Sequence, residues 1–102
     1  MVKENRIVTK KTIKPGKNIV ASMIKGLKEQ LLLLMNQGVK DLTMDFNGVE
    51  IIDSEGLGLL IAAHNSLNAA GGRLKIKNMP DNVKKYFQTI HLDKHFELIS
   101  PG

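Results

Sequence analysis

The chain of 102 residues contains no cysteine and no tryptophan. Without cysteine there is no disulfide staple, zinc–thiolate site, iron–sulfur cluster or cysteine nucleophile. Aromatic residues are scarce, with one Tyr and three Phe, so the stacking platforms used on single strands and RNA are missing. No uninterrupted apolar run is longer than Leu31 to Met35, far short of a bilayer span. The charged segment from Met1 to Lys10 has no apolar stretch behind it, so no secretory signal is visible. The expectation is a cytoplasmic protein with neither a membrane nor a nucleic-acid partner.

What is present has the balance of a globular domain, with 42% hydrophobic and 25% charged residues. This length suits one domain over residues 1–102 that hides about two thirds of its unfolded surface. Fifteen basic against ten acidic residues give a formal charge of +5. The lysines are scattered from Lys3 to Lys94 and read as solvated faces that favour solubility.

Periodicity divides the chain. Arg6 to Ile13 alternates loosely and predicts a strand, closed by Pro15-Gly16. From Ile19 through Met23, Ile24, Leu27, Leu31 and Leu34 the apolar spacing becomes three and four, which predicts an amphipathic helix. Asn18 and Ser22 are candidate caps at its start, and Gly38 stands where it should stop. Val39, Leu42, Met44 and Phe46 predict a second strand before the Asn47-Gly48 turn. A second helix is expected along Leu57, Leu60, Ile61, His64 and Leu67. Leu59, Ala62 and Ala63 widen its stripe, so deep packing is expected, and Gly71-Gly72 ends it. Leu74 and Ile76 mark a third strand. Pro80 opens a short helix with Val83, Phe87 and Ile90 on its buried side, and His95 to Ile99 is the last strand. Strands and helices alternating in this way imply a small α/β domain. The strand order is left open.

Chemistry concentrates where Ile51-Ile52 leads into Asp53-Ser54-Glu55-Gly56-Leu57-Gly58. Two glycines in the first turns of a helix cost about 1 kcal/mol each, which implies a close approach to this backbone. A helix start also offers free N–H groups and favours negative charge. A phosphate on Ser54, carrying about −1.5 to −2 charges, would be tolerated there. The plainer alternative is that Asp53 or Ser54 is an N-cap, and the two roles are compatible.

This motif, Asp53-Ser54-x-Gly56-Leu57-Gly58, placed between an apolar strand and an apolar helix, resembles the signature of STAS domains. More narrowly it resembles bacterial anti-sigma factor antagonists, over Ile19 to Ile99. The resemblance implies a mixed central sheet of about four strands with helices packed on it. It also implies that Ser54 is phosphorylated by an anti-sigma factor that is a serine kinase with a histidine-kinase-like ATPase fold. A serine phosphatase would reverse the step. On this view the unmodified form binds the anti-sigma factor and the phosphorylated form releases it. Asp53 would position the loop, Gly56 and Gly58 would keep the backbone bare, and Leu57 would anchor the loop or touch the partner. Asn18 corresponds to the polar partner-binding position after the first strands. Two features depart from the family: Glu55 stands where a small or hydroxylated residue is usual, and one N-terminal strand replaces a hairpin.

Other chemistry is weaker. Ser54 lacks the Gly-x-Ser-x-Gly elbow of hydrolases, since Ile52 stands two residues before it, and no enzymatic activity is expected. His64 lies on an apolar stripe and reads as a packed histidine with one nitrogen satisfied. His91 and His95 have no further ligands to complete a zinc set. Asp41, Asp45 and Asp53 lack the arrangement of a phospho-accepting aspartate pocket and read as surface and cap residues. No cofactor or metal is expected, and the protein is read as a monomer or weak dimer. The alternative function is a non-switching STAS scaffold or small-ligand module in a chemotaxis-like, transporter or lipid-trafficking assembly.

Overall fold

A computed structural model describes residues 9–92 and 96–99. The elements run β1 (Lys10–Ile13), α1 (Ala21–Asn36), β2 (Asp41–Asp45), α2 (Ser54–Ala69), β3 (Arg73–Lys77), α3 (Asp81–Thr89) and β4 (Glu97–Ile99). The strands lie in the order β1-β2-β3-β4, and each described pairing is parallel. The expected mixed sheet is therefore corrected among the described residues. A helix separates each strand from the next, and such a crossover returns the chain in the same direction. Of the strand expected from Arg6, residues 6–8 lie outside the described residues, as does His95 at the last strand.

Alternation sets the two faces of the sheet. Leu42 and Met44 of β2 and Leu74 and Ile76 of β3 are buried, and they join Ile13 in the core. Asp41, Thr43 and Asp45 point the other way and stay partly exposed. Register places Leu42 beside Leu74 and Met44 beside Ile76, so one apolar layer faces the helices. From α1 the buried residues are Leu27, Leu31 and Leu34, and from α2 they include Leu60, Ala63 and Leu67. Val83 and Phe87 of α3 close the core against Phe96, whose ring centroid lies 5.6 Å from that of Phe87.

Helix ends refine the sequence reading. Neither Asn18 nor Ser22 caps α1; Val20 occupies the cap position with no side-chain hydrogen bond. Pro80 is the N-cap of α3 rather than its first helical residue. Gly38 and Gly71 follow α1 and α2 with φ of 94° and 84°, the left-handed conformation that glycine adopts freely. Deep packing of α2 is only partly realised: Leu59 is half-buried and Ala62 is exposed.

Candidate functional site

Two distant segments meet just before α2. Ile19 and Ile52 form an isolated parallel bridge. The Ile19 N–H donates to Ile51 O at 3.0 Å, and the Asp53 N–H donates to Ile19 O at 3.2 Å. This bridge brings the start of α1 beside the start of α2. The Asp53 carboxylate then serves both helices. Its Oδ1 accepts from the Gly56 N–H at 2.8 Å, and its Oδ2 accepts from the Ala21 N–H at 2.9 Å. The first bond is an ordinary N-cap. The second satisfies an open donor of α1 across 32 positions of sequence. The Gly56 N–H is the main cause that holds the Asp53 carboxyl below its ordinary range, with Ala21 and Glu55 N–H groups adding and partial desolvation opposing.

The two motif glycines differ in what surrounds them. Gly56 is buried, and a Cβ there would run into the backbone carbonyl of Ile19 and come within 2.9 Å of the Ile19 and Ile52 side chains. Its role as a bare backbone open to a kinase is corrected: it lets α2 press against the Ile19–Ile52 bridge. Gly58 is exposed, and a Cβ there would meet nothing within 4 Å. Packing therefore gives no reason for Gly58.

Ser54 is the first residue of α2 and is exposed, as is Glu55 beside it. Leu57 is half-buried and packs against the core. Asn18 is half-buried, and its Oδ1 accepts from the N–H groups of Glu50 and Ile51 at 2.8 and 2.9 Å. It braces the stretch leading to Asp53. Sequence reasoning missed this brace and the second bond of Asp53, since no local pattern signals a partner so far along the chain. Also missed was Asn82 of α3, whose side-chain N–H donates to Glu50 O at 2.7 Å. A shallow hollow of about 130 Å³ lies there, with Ile51 at 55% and Tyr86 at 37% exposure.

The remaining candidates do not join this site. Asp45 accepts from the side chain of Asn78 at 2.9 Å and the backbone of Asn47 at 3.0 Å. These bonds, Asn78 first, hold its carboxyl below the ordinary range, with Lys77 and Lys14 adding and burial opposing. Asp41 pairs with Lys75 at 3.5 Å. His64 Nε2 lies 3.2 Å from the Asn68 amide, while buried Nδ1 has no partner among the described residues. Its ring rests 5.1 Å from that of Phe96. His91 is exposed in a turn with φ of 61°, and His95 lies outside the described residues. Among the described residues no three His, Asp or Glu side chains gather to hold a metal, and no helix is long and apolar enough to cross a membrane.

The family model of the STAS domain matches residues 2–101. The chain belongs to the STAS domain family. No curated protein sequence matches it, and its likeness to solved structures is one of fold. This STAS domain superposes on a candidate anti-sigma factor antagonist of Thermotoga maritima with a TM-score of 0.85 at 20% identity, covering 95% of this chain and 84% of the other. The anti-sigma factor antagonist SpoIIAA in its unphosphorylated form gives 0.75 at 19% identity, covering 92% and 82%. SpoIIAA in its phosphorylated form, described as a Bacillus cell fate determinant, gives 0.74 at 20% identity, covering 92% and 84%.

Proposed function

We propose that this STAS domain is an anti-sigma factor antagonist-like switch in bacterial, cytoplasmic signalling, with Ser54 as the phosphate acceptor. The observation that carries this reading is an exposed hydroxyl on the first residue of a helix whose start is locked from behind by Asp53 and Gly56. A phosphate at that place meets the positive end of α2 and leaves the helix standing. The fold neighbours support the same reading, since SpoIIAA exists in unphosphorylated and phosphorylated forms.

The partner is a protein, namely an anti-sigma factor that is also the serine kinase, with a serine phosphatase restoring the free hydroxyl. In the unmodified state it docks around Ser54 and Glu55, with exposed Ile51 and Tyr86 as an apolar shoulder. Asp53 and Glu55 already carry negative charge beside Ser54. A dianion added there disrupts docking by repulsion and by the cost of burying charge.

The test is peptide mass spectrometry on the chain recovered from its native cells, with Ser54→Ala in parallel. Phosphate on Ser54 that is absent from the variant supports the switch. Ser54→Asp is then expected to weaken partner binding by about ten- to a hundred-fold. A chain that is never modified, with binding indifferent to Ser54→Asp, supports the non-switching scaffold instead.

A further inference from the structure

Glu50 and Ile51 lead into the Ser54 loop, and every backbone N–H and C=O of the two has a partner within the chain. Their N–H groups donate to Asn18 Oδ1, Glu50 O accepts from the Asn82 side chain, and Ile51 O accepts from the Ile19 N–H. No free N–H is left there for a partner strand. The Ile51 side chain on this braced backbone is nevertheless 55% exposed. An apolar side chain held in place before binding loses little freedom on contact. Beside it lies the hollow of about 130 Å³, closed on its far side by Asn82, Val83 and Tyr86 of α3. The Tyr86 ring packs edge-on to that of Phe87, with centroids 6.4 Å apart. The hollow has the volume of about four waters, room for one aliphatic side chain.

Charge identifies the kind of segment that brings that side chain. The protein carries +5 overall, yet residues 41–72 contain no Lys or Arg and five acids, Asp41, Asp45, Glu50, Asp53 and Glu55. Three of these acids are engaged: Asp41 by Lys75, Asp45 by Asn78, and Asp53 by the two helix starts. Glu50 and Glu55 are exposed, and among the described residues neither carboxylate has an ion-pair partner. Glu50 lines the hollow, whereas Lys84 and Lys85 of α3 do not. A partner covering these two carboxylates without cations of its own would strip their water and return nothing. We infer that the hollow receives an aliphatic side chain from a basic segment of the partner protein, with one Lys or Arg meeting Glu50 and another meeting Glu55. This rests on the reading of Ser54 as a switch and names the chemistry of the surface that docks there. It also accounts for release, because two cations answer two carboxylates and leave a phosphate on Ser54 buried without a partner.

Photo-crosslinking of the full chain in its native cells reads this surface. Benzoylphenylalanine is placed at position 86 or, as a control, at position 33, where Leu33 is 57% exposed on α1. Position 86 is expected to join an apolar residue flanked by Lys or Arg, in a protein that position 33 does not reach. In a lysate of the same cells supplied with ATP, Ile51→Ser and Glu50→Lys are each expected to slow phosphate addition to Ser54 by about tenfold or more. Leu33→Ser should leave the rate unchanged, and added salt should shrink the deficit of Glu50→Lys but not that of Ile51→Ser. Wild-type rates in both site variants, or a crosslink to an acidic or uncharged segment, overturn the inference and leave the switch standing. A crosslink of the expected kind on a chain whose Ser54 is never modified removes the switch and keeps the basic docking segment. Neither crosslink nor phosphate overturns both.

Discussion

On the side of α2's first turn that meets the sheet, Asp53 and Gly56 have little freedom. The carboxylate holds two helix starts, and the missing side chain makes room for Ile19. On the side that meets solvent, Ser54, Glu55 and Gly58 are exposed; among the described residues the Ser54 and Glu55 side chains make no hydrogen bond or ion pair, and a Cβ at Gly58 would meet nothing within 4 Å. One six-residue motif therefore divides into a half required for folding and a half left available for interaction. The structural half keeps the loop in place; under the proposed switch it is the exposed half that would gain charge. A hydroxyl can be modified without loss of the fold only when the turn beneath it is held by other residues.

The strongest challenge to this division is Gly56→Ala. Its Cβ would press on backbone as well as on flexible side chains, so a loss of about 3 kcal/mol or more is expected in urea denaturation. A loss below about 0.5 kcal/mol would show that α2 can draw back from the bridge.

Next in size is the loss of Asp53. Asp53→Ala removes the acceptor for two helix starts and is expected to lower the melting temperature by about 5–10 °C. Acid should act on the same carboxylate. Asp53 and Asp45 both have their carboxyls held below the ordinary range. Their contribution to stability is therefore complete above the unfolded-state pKa, near pH 4, and fades as pH falls through the lower folded-state values. Asp53→Asn should flatten the fall in stability below about pH 4, measured by thermal melts from neutral to acid pH. An unchanged slope would mean that Asp53 does not couple the helix starts to proton binding.

The smallest effects are expected on the solvent side. Gly58→Ala should raise stability by up to about 1 kcal/mol, since an exposed helical glycine gains from a side chain that meets no obstacle. Ser54→Ala should change stability by less than about 0.5 kcal/mol. A large loss from either would erase the difference between the two sides.

Much of the architecture was legible from apolar spacing. Leu27, Leu31 and Leu34 marked the buried face of α1, and Leu42, Met44, Leu74 and Ile76 marked two strands, because burial on one face imposes the period of the element. The two halves of the motif were less legible. Gly56 and Gly58 look alike in sequence and share one helix, yet only Gly56 faces another backbone. Similarly, Asp53 is readable as a local cap for Gly56, whereas its bond to Ala21 depends on the chain returning 32 positions later. Asn18 failed as a cap for the same kind of reason: its amide oxygen faces Glu50 and Ile51 once the Ile19–Ile52 bridge forms.

The amino-acid order alone determined which residues form helices and strands, which faces turn inward, and where a serine begins a helix. These are consequences of periods and caps that act within a few residues. The parallel order of the strands, the shared carboxylate, the contact that excludes a side chain at position 56 and the exposed Ile51 beside its hollow were decided by tertiary structure. Each arises from surfaces that meet only after the chain has closed long loops, and no local pattern of residues encodes which surfaces those will be.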